Sequence, residues 1–229
     1  MKILAIDTSL AATSACILEA GSKEPLAGET LPMERGHAEA LLPLIDRLVA
    51  RLDGGFDALS RIAVSIGPGS FTGIRIGVSA ARAFGLACGV PVVGVTTLAA
   101  LAAPLIGRAG EAKIIAAIDA RHGRVYAQGF SAAGKTLSQP ALLPVREALA
   151  LYAPGPLLLV GSGAAALAIE AWSSGVKAEA SSLSTLPDIA FIARLGLLAN
   201  PETAPARPLY LKAPDAVAQT NGVLARALD

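Results

Sequence analysis

A glycine-paced segment, Ser65–Gly77 (SIGPGSFTGIRIG), is the part of the chain whose residue types and spacing best suit chemistry. Its first glycines allow a sharp turn, and Ser70 or Thr72 can cap a following helix, whose free N–H groups then suit an anion or another chain. The segment lacks the lysine of a Walker A loop, its GxGxxxG spacing differs from the dinucleotide fingerprint, and Ser70 has no GxSxG frame. A plain turn between a strand and a helix is the alternative.

The two histidines are the other candidates for acid–base chemistry. His37 precedes an amphipathic segment and could act as a general base, but no serine or cysteine near it has the context of a nucleophile. We therefore expect a polar role for it at a helix end or an interface, and a solvated His122. Asp119 and Arg121 are expected to form an ion pair or to lock a turn. No residue is predicted to be catalytic.

Composition limits the classes of protein that the chain can belong to. Of its 229 residues 53% are hydrophobic and only 4% aromatic, which predicts an aliphatic core. Nineteen basic residues against 18 acidic ones leave no basic excess for nucleic acid, so a partner would have to supply it. Cys16 and Cys88 lie in apolar segments without a CxxC pair, as in a reducing compartment. Because we find no signal peptide and no apolar run of membrane-spanning length, we expect a cytoplasmic protein that contacts no membrane.

The elements that would position these residues follow a repeated pattern. The first half predicts strands at Met1–Asp7, Ser14–Glu19, Pro25–Leu31, Arg61–Ile66 and Pro91–Val95, and helices at His37–Leu52, Thr72–Cys88 and Thr97–Ile106. The second half predicts strands at Lys113–Asp119, Arg124–Phe130 and Leu157–Val160, and helices at Val145–Tyr152 and after Gly161–Gly163. The shared βββαβα order predicts a duplicated α/β fold with a cleft between an N-terminal lobe (1–108) and a C-terminal lobe (109–229). For Ala213–Asp229 a short closing helix and a disordered end both stay open.

Six segments, taken together, carry a resemblance to a known family. They are AIDTS at Ala5–Ser9, RGHAEALLPLI at Arg35–Ile45, GPGSFTGIRIG at Gly67–Gly77, GVTTLAAL at Gly94–Leu101, IDARHGRVY at Ile118–Tyr126 and PLYLK at Pro208–Lys212. With them the chain resembles the bacterial TsaB (YeaZ) family nearly from end to end. The resemblance implies a two-lobed actin/hexokinase-like fold of the ribonuclease-H type. It also implies a non-catalytic dimerisation subunit and activator of TsaD in the synthesis of N6-threonylcarbamoyladenosine in tRNAs that read codons beginning with A.

The same resemblance implies partners and the absence of a metal. The expected partners are TsaD in a heterodimer, the ATPase TsaE, tRNA through the complex only, and a second copy of the chain when it is alone. TsaD-like paralogues carry His-x-x-x-His where this chain has Thr97 and Leu101, so we expect no metal here. No cofactor is expected, and ATP with Mg²⁺ only in the complex with TsaD and TsaE.

One alternative function stays open, a small-molecule kinase or ATPase of the same superfamily that acts alone. Asp7, Thr8 and Ser9 occupy the place where that superfamily holds Mg²⁺ and phosphate. We expect Asp7 to cap its own turn and leave a weak nucleotide contact of these three residues open. Against the alternative, the second lobe is short and has no Gly-Gly adenosine-binding motif.

The helix predicted over Thr72–Cys88 is small or apolar on two faces, so it is either fully buried or shared between the core and a partner. The helix at His37–Leu52 also has a wide apolar stripe. Pairing both with the same helices of a paralogue would give a four-helix contact. The residues predicted for this partner interface are His37, Leu41, Ile45, Leu48, Ile74, Gly77, Val78, Ala81 and Gly85. A large residue at Gly77 or Ala81 is expected to abolish dimerisation without unfolding the chain.

Overall fold

The first half of the chain forms a five-stranded sheet with its helices. A computed structural model describes residues 1–183 and 185–211, so the tail Ala213–Asp229 lies outside the described residues. The elements are β1 (Lys2–Asp7), β2 (Ala12–Glu19), β3 (Ala27–Pro32), α1 (His37–Val49), β4 (Arg61–Ser65), α2 (Phe71–Cys88), β5 (Val92–Val95) and α3 (Thr97–Ala102). Short 3-10 turns occupy Gly55–Ala58 and Ala103–Leu105.

The second half repeats this order in a second sheet. Its elements are β6 (Lys113–Asp119), β7 (Arg124–Phe130), β8 (Ala141–Pro144), α4 (Val145–Tyr152), β9 (Leu157–Val160), α5 (Ala164–Ser173), β10 (Ala178–Ala180) and α6 (Ile189–Leu198). The strand orders are β3-β2-β1-β4-β5 and β8-β7-β6-β9-β10, so the two sheets are equivalent strand by strand. The predicted duplicated α/β fold is confirmed. No helix in the described part of the chain is long and apolar enough to cross a membrane.

The register of β1 places its end beside that of β4. β1 pairs antiparallel with β2, where Asp7 faces Ser14, and parallel with β4, where Ile6 faces Val64. Since parallel strands end at the same edge of a sheet, Asp7 and the start of the glycine segment after β4 lie together. β6 repeats this arrangement with β7 and β9.

The first sheet is covered on both faces because successive side chains of β1 point in opposite directions. Leu4 and Ile6 pack with α1 and α2, whereas Ile3 and Ala5 pack with α6. α6 thus comes from late in the chain but completes the core of the first sheet. A division of the chain between residues 108 and 109 stays a prediction, and α6 crosses it.

The segment 200–210, here called the strap, follows α6 and covers the edge strand β5. The N–H of Gly94 donates to the carbonyl oxygen of Ala204 at 2.9 Å, and the N–H of Leu209 donates to that of Ile66 at 2.7 Å. The strap ends against α2, where the ring centroids of Tyr210 and Phe71 are 5.1 Å apart. An edge strand that would otherwise expose unpaired backbone groups is thereby closed.

Three predicted helices differ from the observed ones at their ends. α1 ends at Val49 and not Leu52, because i→i+3 hydrogen bonds from residues 51 and 52 tighten its last turn. α2 begins one residue before Thr72, because the Ser70 hydroxyl caps it by accepting from the N–H of Gly73. The helix predicted to reach Ile106 is α-helical only to Ala102 and continues as a 3-10 turn that contains Pro104.

Candidate functional site

The turn after β1 is held by its own carboxylate. An oxygen of Asp7 accepts a hydrogen bond from the N–H of Ser9 at 2.8 Å and another from the hydroxyl of Ser65 at the end of β4. Asp7, Thr8 and Ser9 are 3%, 1% and 0% exposed. Asp7 therefore caps its own turn, as predicted, and also ties β1 to β4.

The glycines of the segment after β4 let the backbone approach this turn closely. A Cβ atom at Gly69 would lie 2.2 Å from the carbonyl oxygen of Ser9, and one at Gly73 would lie 2.0 Å from that of Thr8. The N–H of Ser70 donates to the Ser9 carbonyl at 2.8 Å, and the Thr8 hydroxyl donates to the Gly73 carbonyl at 2.7 Å. The start of α2, which could have faced an anion, is thus filled by the chain's own β1–β2 turn.

A nucleotide contact at this turn stays a prediction. The packing of the turn limits access to it. Leu10, at the tip of the turn, packs against the apolar cluster that α3 forms with strands of the second sheet. The buried hydroxyl of Ser9 has no hydrogen-bond partner among the described residues. A phosphate group would reach Asp7 only if the turn moved away from this cluster.

The positions that would hold metal-binding histidines are part of the core. Thr97 is 0% and Leu101 2% exposed, at the start and near the end of α3. In residues 1–183 and 185–211 no group of three or more His, Cys, Asp and Glu side chains could hold a metal ion. His37 is buried at the start of α1, with Nδ1 2.8 Å from the hydroxyl oxygen of Thr13, whereas His122 is exposed.

The turn after β6 repeats the turn after β1 at the surface. An oxygen of Asp119 accepts from the N–H of Arg121 at 2.8 Å, two residues on, as Asp7 accepts from that of Ser9. Asp119 therefore locks a turn. Arg121 and His122 have φ angles of 63° and 52°, in the left-handed region that favours glycine.

The nine residues predicted for a partner interface are buried within the chain itself, and their contact with a partner stays a prediction. All nine are buried: His37, Leu41, Ile45, Leu48, Ile74, Gly77, Val78, Ala81 and Gly85. A Cβ atom at Gly77 would already lie 2.5 Å from the hydroxyl oxygen of Thr8. A large residue at Gly77 would therefore meet Thr8 within the fold, and its expected effect on dimerisation without unfolding stays a prediction.

The exposed side of α2 carries a different set of residues. Ten uncharged side chains of α2 are exposed or half-buried, and we call five of them the α2 ridge: Thr72, Ile76, Ser79, Ala80 and Ala87. On α1, Leu42 is 56% exposed. The signal that could have identified the outer face is the pair Arg75 and Arg82, seven residues apart and both exposed.

One of these arginines joins α2 to the strap. The guanidinium carbon of Arg75 lies 4.2 Å from the ring centroid of Phe71, and its Nε donates to the hydroxyl oxygen of Tyr210 at 3.2 Å. Both rings are nearly half exposed. The strap is therefore anchored beside the first turn of α2.

Comparison with known proteins places the chain in a family. Residues 31–199 match the family model described as "TsaD: tRNA N6-adenosine threonylcarbamoyltransferase". The TsaB protein of Escherichia coli, named a tRNA threonylcarbamoyladenosine biosynthesis protein, is 36% identical over 126 residues, which are 55% of this chain and 53% of that protein. The chain thus spans about half the length of this curated relative.

Two solved structures extend the comparison to the whole fold. YeaZ from Pseudomonas aeruginosa is 27% identical, with a TM-score of 0.72 over 92% of this chain and 99% of the other. A ROK hexokinase from Thermus thermophilus, 15% identical with a TM-score of 0.51 over 86% and 99% of the chains, shows the shared actin/hexokinase-like fold alone. The family model described as TsaD matches most of the chain, and the relatives just named are TsaB and YeaZ proteins. Together they show that this chain belongs to the TsaB (YeaZ) family.

Proposed function

We propose that this protein takes part in tRNA threonylcarbamoyladenosine biosynthesis as a non-catalytic subunit that binds a TsaD-type transferase. The name of the Escherichia coli relative and the match to the TsaD family model support the pathway. The observation that carries the partnership is the α2 ridge, a line of small and apolar uncharged side chains on an outer helix. Small side chains allow the backbone of another helix to come close, and they bring no charge into a buried contact.

The residues at two positions where related proteins carry functional groups support a non-catalytic role. Thr97 and Leu101, at the positions of the paralogues' histidines, are buried in the core and offer no imidazole ligand. The turn of Asp7 is buried against α2 and beside the second half of the chain. ATP and Mg²⁺ would then act in the complex with TsaD and TsaE, and tRNA would be bound through that complex.

The partner contact would use outer surfaces of α1 and α2 in place of the nine core residues. Leu42 is exposed on α1, and the α2 ridge lies on α2, which packs against α1. A homodimer would use the same two helices when TsaD is absent, so TsaD and a second copy would compete for them.

The experiment measures binding to TsaD from the same organism with Ser79→Arg, which places a charge in the middle of the α2 ridge. We expect the affinity to fall by about thirtyfold, the equivalent of about 2 kcal/mol, because the new guanidinium would be buried without a partner. Threonylcarbamoyladenosine formation on tRNA by the assembled proteins should fall with it. Ser173→Arg, the same change at an exposed serine of α5, is the control and should bind TsaD normally.

Two outcomes would contradict the proposal. Wild-type affinity in the folded Ser79→Arg variant would show that the α2 ridge is not the contact. ATP turnover by the purified chain alone, without TsaD or TsaE, would instead support the kinase or ATPase alternative.

A further inference from the structure

A groove separates the second half of α2 from the strap. Its volume is about 740 Å³, in the range of sites that hold a few side chains. It is lined by Arg82, Ala83, Gly85, Leu86, Val90, Val92, Pro201, Pro205, Ala206 and Arg207. We call it the arginine groove. None of the α2 ridge residues lines it.

The arginine groove combines an apolar surface with unpaired positive charge. The side chains of Arg82 and Arg207 are exposed, and neither makes a hydrogen bond or an ion pair within the described part of the chain. No acidic residue lines the groove, and Glu202 in the strap lies outside it. Leu86 is 87% exposed, so the same groove presents an aliphatic side chain to water.

We propose that the arginine groove binds an acidic segment of a partner protein, with an apolar side chain against Leu86 and carboxylates on Arg82 and Arg207. Guanidinium groups pair with carboxylates in charge-assisted, often bidentate hydrogen bonds. The apolar contact gains most where the partner removes Leu86 from water. A nucleic acid fits less well, because the lining has no aromatic ring on which a base could stack. This inference goes beyond the proposed function and does not depend on it.

The test measures fluorescence anisotropy of a short labelled peptide of Glu and Leu with the full chain at physiological salt. We expect the double variant Arg82→Glu/Arg207→Glu to bind this peptide at least about tenfold more weakly than the wild type. Leu86→Asp should weaken binding similarly, since it removes the apolar contact and adds a like charge. Arg146→Glu, the same charge change at an exposed arginine of α4, is the control and should leave binding unchanged.

Further probes distinguish an acidic peptide from other ligands of the groove. They also distinguish the groove proposal from the α2 ridge proposal. A peptide with Lys in place of Glu should not bind, and binding of equal strength would overturn the proposal. So would unchanged affinity in the folded double variant or in Leu86→Asp. Tighter binding of a single-stranded RNA, lost in the double variant, would assign the groove to nucleic acid and overturn it as well. Ser79→Arg adds a positive charge one turn before Arg82 and should not weaken binding of the acidic peptide, so the α2 ridge and the arginine groove can fail separately.

Discussion

Two alanine substitutions in α2 should have very different costs, although both place a methyl group near Thr8. At Gly73 the new Cβ would lie 2.0 Å from the backbone carbonyl oxygen of Thr8, which cannot rotate away. Overpacking typically costs about 1–3 kcal/mol and more where the neighbour is fixed, so we expect Gly73→Ala to lower the free energy of unfolding by at least about 3 kcal/mol. For a chain of this size the melting temperature should fall by about 6–12 °C.

At Gly77 the new Cβ would meet the Thr8 hydroxyl, a side-chain atom 2.5 Å away. The gain in helix propensity, about 1 kcal/mol, offsets part of this conflict, so we expect a net cost of about 1–2 kcal/mol. Thr8→Ala removes that oxygen but leaves the carbonyl in place. In the Thr8→Ala background, Gly77→Ala should therefore become neutral or stabilising, whereas Gly73→Ala should keep its full cost.

Urea unfolding of the single and double variants, followed by circular dichroism, measures both couplings. The reasoning would be refuted by a Gly73→Ala variant as stable as the wild type, or by equal rescue of both substitutions in the Thr8→Ala background. Either result would show that the contact between α2 and the β1–β2 turn is looser than described.

Four further predictions concern three other sites. Burial raises the pKa of Cys16 from 9.0 to about 12, so at pH 9 iodoacetamide should label half-buried Cys88 and not Cys16. The stability contributed by the Cys16 thiol is full below pH 9 and lost as the pH rises towards 12, so Cys16→Ala should lose less stability over that range. Arg61→Met should lower the free energy of unfolding by about 2–3 kcal/mol in urea, because one Arg61 nitrogen donates to three carbonyls at the end of α6. His122→Gly should raise the melting temperature by about 2–4 °C, because glycine relieves its left-handed backbone.

The labelling and Arg61→Met predictions have matched controls. Denatured protein should be labelled at both cysteines, and native labelling of Cys16 would contradict its raised pKa. Arg51→Met, at an exposed arginine, should change the free energy of unfolding by less than about 0.5 kcal/mol. A loss as large as that of Arg61→Met would show that the bonds to the α6 carbonyls are not the cause. A lower melting temperature for His122→Gly would mean that the side chain stabilises the turn more than its backbone strains it.

The order of helices and strands could be predicted because it depends on local periodicity and because the same order occurs in both halves of the chain. The end of α2 at Cys88 and the strand Lys113–Asp119 were predictable to the residue. The orientation of α2 was not, since Gly77 and Ala81 are small enough for a core or for a partner. It depends on contacts such as that of Thr8 with Gly73, which are 65 positions apart in the sequence.

The candidate site shows the same division between local and distant causes. That Asp7 caps its own turn follows from residues two positions apart, and the structure confirms it. The bond from Ser65 to Asp7 requires β1 and β4 to pair in parallel, and the groove beside Arg82 requires the strap to return to α2. Neither pairing leaves a periodic signal in the sequence.

The position of α6 has a consequence for biosynthesis. The face of the first sheet that carries Ile3 and Ala5 is covered by residues 189–198, which leave the ribosome after the whole second sheet. Until then this apolar face stays open to water or to a chaperone, although all five strands of the sheet have been made. Completion of the first sheet therefore waits until α6 has been synthesised, and a ribosome that stalls within the second sheet would display an unfinished, aggregation-prone surface.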